Sequence, residues 1–200
     1  QLRQLQADWI KELRAAHDPV YGGFGAAPKF PHSENLRFLL AAAAEIGGLA
    51  GNGARDMALF TLRKMAAGGM YDQIGGGFAR YSVDKTWLIP HFEKMLYDQG
   101  TLIPAYLDAW RLTGEDFFAR IARECCEYLV REMQGPEGGF HASTDADSEG
   151  EEGKFFAWTP EELVAALGGE RAEFARRYYG VTPEGTFERG SSVLQAAMSA

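Results

Sequence analysis

The chain has 200 residues, a formal net charge of −8 at pH 7, and 46% hydrophobic and 12% aromatic residues. That is enough apolar material for one domain with a real core. The acidic balance excludes the clustered cations that nucleic-acid phosphates or an anionic membrane surface require. The most apolar run, residues 36–50, carries Arg37 and Glu45 and is too short to cross a bilayer. No signal-peptide pattern opens the chain. The two cysteines, Cys125 and Cys126, are adjacent and fit neither a redox pair nor a metal-ligand spacing. They read as ordinary helix thiols and suit a reducing, cytoplasmic compartment.

Leu2, Leu5, Trp9, Ile10 and Leu13 recur at three- and four-residue steps and predict a first helix, ended by His17-Asp18-Pro19. Gly22-Gly23-Phe24 follows. A second helix starts at Pro31 or is capped by Ser33, with Leu36, Leu39, Leu40 and Ala43 as its stripe. Met57, Phe60, Leu62 and Met65 mark a third, closed by Gly68-Gly69. After Gly76-Gly77-Phe78, the stretch FARYSVDKTWLI alternates as a β-hairpin turning near Asp84-Lys85. Pro90 then stands where a fourth helix opens, running through Phe92, Met95, Leu96, Ile103, Tyr106, Leu107 and Trp110. A fifth carries Phe117, Ile121, Cys125, Tyr128 and Leu129 and ends before Pro136. The loop from Phe140 to Trp158 predicts a second hairpin with an acidic tip. Thr159-Pro160-Glu161-Glu162 starts a sixth helix, and a short seventh covers residues 171–178.

Three Gly-Gly-Phe copies, with phenylalanines 54 and 62 residues apart, expose a repeat of helix, Gly-rich loop and helix. Such helical hairpins stack so that each buries its neighbour's apolar face, and long loops on one side form a common rim. Pro31-His32 and Pro90-His91 stand at matching helix entries, which puts both histidines at equivalent rim points.

Three segments then point to a family. APKFPH (27–32), MYDQIGGGFARYSVDKTWLIPHFEKMLYDQ (70–99) and DADSEGEEGKFFAWT (145–159) resemble the hallmark segments of a bacterial and animal family. Its members carry a thioredoxin-like domain followed by a six-hairpin-glycosidase-like α/α toroid. The resemblance covers essentially the whole chain. It implies an all-α fold, an incomplete (α/α)6 toroid of about three helical hairpins over residues 1–200, with small β-hairpins on the loop rim. It also implies a carbohydrate-acting or carbohydrate-binding role of epimerase, isomerase or glycosidase type. The alternative is a non-catalytic platform that presents the thioredoxin-like domain. That domain, any Cys-x-x-Cys and the later hairpins are absent from this sequence, and Gln1 opens directly in a helical pattern. The chain therefore reads as the first half of a toroid, inactive by itself and prone to self-associate through uncovered helical faces.

The candidate site lies on the rim loops. His91 serves as general acid or base, or as a structural hydrogen bonder, at a helix start where a neutral imidazole is favoured. Glu93 is either a first-turn charge or a catalytic carboxylate. The two serve one substrate atom only if the helix begins after His91, because residues two apart on a helix diverge. His32 and Asp145 complete the catalytic set. Lys29, Asp72, Tyr81, Trp87 and Asp147 are assigned to holding a sugar. Lys94 and Asp98, four apart, read as a surface pair. The loop Asp145-Ala146-Asp147-Ser148-Glu149-Gly150 admits a solvated acidic turn, a functional rim or a calcium loop. The last lacks the bidentate carboxylate, since Phe156 holds that position. No phosphate loop, dinucleotide fingerprint, nucleophile elbow or zinc pattern is present, so no metal or other cofactor is expected.

Overall fold

The structure, a computed structural model, describes residues 2–197. Helix α1 (Leu2–Ala16) precedes three helical hairpins. These are α2 (Ser33–Ile46) with α3 (Gly48–Ala67), α4 (Leu96–Thr113) with α5 (Asp116–Tyr128), and α6 (Pro160–Leu167) with α7 (Gly169–Tyr179). Each hairpin turns on a glycine at positive φ: Gly47 at 63°, Gly114 at 72° and Gly168 at 77°. A Cβ there would be strained, so glycine ends the helix without penalty. A π-turn, Leu129–Met133, extends α5. Thr159 caps α6 through a full capping box with Glu162, and Pro160 opens it.

The core follows the predicted stripes in α2 and α3 and shifts by one residue in α4 and α5, where Leu102 and Phe118 are buried and the expected Ile103 and Phe117 only partly so. Leu36 and Leu39 of α2, Leu62 and Met65 of α3, Leu102 and Tyr106 of α4, and Phe118 and Ile121 of α5 are buried together. Tyr106 satisfies its hydroxyl by donating to the Leu62 carbonyl at 2.7 Å, as a buried phenol must. Helix α1 adds only Ile10 and Leu13 and leaves Leu2, Leu5 and Trp9 exposed. Helices α6 and α7 close a smaller cluster with Val181 and Leu194. Among the described residues no helix is long and apolar enough to cross a membrane.

Antiparallel hairpins put the ends of α1, α3 and α5 on the same side as the starts of α2, α4 and α6. All the long loops therefore share one rim. They carry small ladders: β1 (Tyr81–Ser82) with β2 (Pro90–His91), β3 (Lys94–Met95) with β4 (Ser143–Thr144), β5 (Asp147–Ser148) with β6 (Glu151–Glu152), and β7 (Ala157–Trp158) with β8 (Ser192–Val193). Both predicted hairpins are present. Asp84 forms the first tip by accepting the N–H groups of Thr86 and Ile89, each at 2.5 Å. Glu149 (φ 54°) and Gly150 (φ 79°) form the second, a two-residue turn with both positions left-handed that matches strand twist.

Helix α4 does not start at Pro90. It starts at Leu96, because residues 90–91 and 94–95 are drawn into ladders with the two neighbouring loops. The repeat is also in a different register from the Pro-His match. In the first copy Asp18 Oδ1 accepts the N–H groups of Val20 and Tyr21, and Asp18 Oδ2 meets Lys29 Nζ at 2.7 Å. In the second, Asp72 Oδ1 accepts from Ile74 and Gly75, and Oδ2 meets Lys94 Nζ at 2.8 Å. Each lysine also donates to a loop carbonyl, Gly22 or Gly76. Each bridges to the next copy, Lys29 to Ser82 and Lys94 to Thr144. Lys29 and Lys94 are therefore the equivalent pair. His32 holds the N-cap position of α2 without a side-chain capping bond, whereas His91 sits five residues before α4 in a strand.

Candidate functional site

The rim holds two adjoining features. The first is an imidazole between carboxylates. Strand β2 places His91 opposite Tyr81, their rings stacked at 5.2 Å, and Phe30 lies 4.9 Å beyond Tyr81. His91 Nδ1 is 2.7 Å from Glu152 Oε1, and Nε2 is 3.7 Å from Glu93 Oε2. Arg80 reaches the same Glu93 oxygen at 3.3 Å, and its backbone N–H donates to the Glu93 carbonyl at 2.9 Å. Because α4 begins after His91, the condition for His91 and Glu93 to act on one atom is met. Behind them, Asp98 stands in the first turn of α4 with Oδ2 buried and without a hydrogen-bond partner. Burial pushes its carboxyl up to about 6, opposed by Arg80 and helped by Glu93.

The second feature is a cavity of about 500 Å³ between the second and third loops. Asp72, Lys94, Asp145, Asp147, Phe156 and Trp158 are among its walls. Lys94 is buried there, over the rings of Tyr128 at 4.4 Å and Phe156 at 4.9 Å. Burial lowers its pKa, and the Asp72 charge and hydrogen bond oppose that. The acidic hairpin links the two features: Asp147 lines the cavity, and its cross-strand partner Glu152 holds His91.

The structure brings Tyr81, His91 and Glu93 together and sets Asp72, Asp145 and Asp147 around the cavity. His32 joins neither. Its ring lies 6.5 Å from Phe24, and its Nδ1 3.7 Å from Glu34. Two assignments to sugar holding are overturned by burial. Lys29 is 1% exposed, and its ammonium is committed to Asp18 and the Gly22 carbonyl. Trp87 is fully buried, donating Nε1–H to the Tyr21 carbonyl at 2.8 Å. Lys94 does not pair with Asp98 on the surface but with Asp72 inside. Sequence reasoning did not assign Glu152 or Arg80, and it gave Lys94 and Asp98 to a surface pair and not to the site. Only Lys94 left a signal, since Asp and Lys recur around both of the first two Gly-Gly-Phe copies. The acidic loop does not gather its carboxylates around a point. Glu149 pairs with Lys154, Glu151 with Arg189 and Glu152 with His91. Among the described residues no group of three His, Cys, Asp or Glu is arranged to hold a metal ion.

No family profile matches the chain. Human spermatogenesis-associated protein 20 is 41% identical over 165 residues, which cover 79% of this chain and 21% of that protein. The mouse protein of the same name is 42% identical over the same share of each. The chain is a homologue of part of spermatogenesis-associated protein 20. It spans about a fifth of the length of these relatives. Uncharacterized protein B0495.5 of Caenorhabditis elegans is 38% identical over 194 residues, 89% of this chain and 26% of that one. The fold is that of an incomplete α/α toroid. A sugar epimerase from a ruminal bacterium superposes with a TM-score of 0.61 at 18% identity, over 88% of this chain and 53% of that one. Cellobiose 2-epimerase from Spirochaeta thermophila superposes with a TM-score of 0.56 at 21% identity, over 72% and 40%. The segments that marked the family by resemblance thus lie in a chain similar to part of spermatogenesis-associated protein 20 and of epimerase-like fold.

Proposed function

We propose that this chain supplies the acid–base half of a carbohydrate-acting toroid, with His91 as the group that moves a proton on a sugar. The observation that carries this reading is the imidazole held at 2.7 Å by Glu152 on a rim of stacked aromatics. A carboxylate on one ring nitrogen selects the tautomer and fixes the direction of the ring. With Nδ1–H donated to Glu152, Nε2 is left as the proton acceptor beside Glu93. Glu93, held by Arg80, steadies the imidazolium once the proton has moved. Tyr81 and Phe30 offer ring faces for a sugar, and the epimerase-like fold supports a pyranose as substrate. The chemistry is proton abstraction and return at a sugar carbon or hydroxyl, of epimerase or isomerase type, with a glycosidase-like use of the same groups as the variant within the class.

A half toroid walls only part of such a pocket, so this chain by itself is expected to bind a sugar weakly and to turn none over. The test is a titration of the chain with mono- and disaccharides, followed by the nuclear magnetic resonance signals of His91 and Tyr81. Shifts at these residues that disappear in Glu152→Gln support the reading. Sugar-insensitive signals, with shifts on adding thioredoxin-like domain peptides instead, favour a non-catalytic platform.

A further inference from the structure

The two buried lysine locks share a backbone but differ in their covers. In the first, the Trp87 ring lies 5.5 Å from Lys29 Nζ, packs against Gly23, and donates to the Tyr21 carbonyl. Nothing is left open: Trp87 and Lys29 are 0% and 1% exposed. In the second, Tyr128 packs against Gly77, the counterpart of Gly23, and its ring lies 4.4 Å from Lys94 Nζ, with Phe156 at 4.9 Å; Arg131 donates at 2.5 Å to the Gly75 carbonyl, which corresponds to that of Tyr21. Beside these two rings, the second lock borders the cavity of about 500 Å³.

The charges around the opening are uneven. Lys94 is neutralised by Asp72, and Arg131 by Glu132. Asp145 and Asp147 line the cavity and pair with no cation among the described residues. The Asp145 side chain accepts only the Asp147 N–H, at 3.1 Å. Phe155, Phe156 and Trp158 supply the apolar wall. An anion meets two uncompensated carboxylates here. A neutral ring gains only the wall. A ring that carries a protonated amine gains both, by stacking and by charge-assisted hydrogen bonds.

We infer that the cavity walled by Phe156, Trp158, Asp145 and Asp147 is a binding site for a planar ring bearing a protonated amine, separate from the His91 cluster. The ring lies against Phe156 and Trp158, and the ammonium meets Asp145 and Asp147. The inference stands on the cavity and its charges and is independent of the sugar reading.

The experiment uses a matched pair of probes, tryptamine and tryptophol, which share an indole and differ by an ammonium for a hydroxyl. Each is titrated into the 200-residue chain while the resonances of Thr144, Trp158 and Val193 are followed. Tryptamine is expected to shift them at least about tenfold more tightly than tryptophol, and 0.5 M salt is expected to remove that advantage. Asp145→Asn/Asp147→Asn is expected to reduce tryptamine to the tryptophol level, with His91→Ala unchanged. Equal binding of both probes, binding of neither, or a preference that survives salt overturns the inference. The salt arm needs no variant and remains decisive if the double substitution disturbs the hairpin.

Discussion

Lys94 Nζ lies 2.8 Å from Asp72 Oδ2, inside the wall of the rim cavity and across two cation–π contacts. The same lock, built from Lys29 and Asp18, closes the preceding repeat. Each ties a Gly-rich loop to the start of the next helix, so the locks set the geometry from which the rim side chains project.

Removing one partner of such a pair strands a charge in a dry place. Lys94→Ala is expected to destabilise the chain by about 3 kcal/mol, read as a lower urea midpoint at unchanged m-value. Lys94→Met/Asp72→Asn together should lose less than the single change, because no buried charge remains unpaired. A loss well under 1 kcal/mol for Lys94→Ala would contradict the burial assigned to the ammonium.

Trp87 seals the first lock with its whole side chain. Trp87→Ala is expected to cost about 3–5 kcal/mol. Gly23→Ala is expected to be harmful as well: φ is +81°, and a Cβ there would stand 2.5 Å from the Trp87 ring. Thermal melts of both variants check this, and a neutral Gly23→Ala would show the loop to be looser than described.

The Asp98 carboxyl gives a pH-dependent signature. Its folded pKa, about 6, lies above its ordinary value of 3.8. Its favourable, protonated contribution is therefore complete below about pH 4 and is lost as pH rises through about 6. Asp98→Asn is expected to raise stability at pH 7.5 by about 1 kcal/mol, a figure discounted for the part of the carboxyl that meets solvent. The advantage should vanish at pH 4. Equal gains at both pH values would place the effect elsewhere.

The Asp18 carboxyl behaves in the opposite sense. Despite the desolvation that raises it, the hydrogen bonds from Lys29, Tyr21 and Val20 pull its pKa down to about 2 from 3.8. Its contribution is present above pH 4 and disappears between about 4 and 2. Acid titration should therefore unfold the chain with a step that Asp18→Asn removes; an identical acid midpoint in that variant would argue against the lock.

Much of this was legible in the chain order of residues. Stripes such as Leu36, Leu39 and Leu40 gave the helices, and Thr159-Pro160-x-Glu162 gave a helix start to the residue. Asp84 marked one hairpin tip, and the acidic stretch marked the other without its exact turn at Glu149-Gly150. What failed was set by pairing between distant loops. Pro90 is a good first helical residue locally, yet Tyr81 and Ser82 hold it in a strand. Lys94 matched Asp98 by helical spacing, but its partner is 22 residues back, and its burial comes from Tyr128 and Phe156. Glu152 could not be joined to His91, 61 residues away, without the hairpin register. Trp87 and Lys29 had the chemistry of ligand holders, and only stacking of the repeats reveals that they hold each other.

The central claim, that His91 is the proton-moving group, is tested most directly in a protein that carries this chain together with the remaining toroid hairpins. The measurement is exchange of sugar carbon-bound hydrogen with deuterated solvent, comparing the parent with His91→Ala. Because the His91 side chain is partly exposed and joined to the fold mainly through Glu152 and Tyr81, the melting temperature should be almost unchanged. The account expects the exchange to fall by at least about a thousandfold, in line with loss of an acid–base group and its preorganised partners. Exchange that continues at the parent rate in a fully folded His91→Ala protein would contradict it.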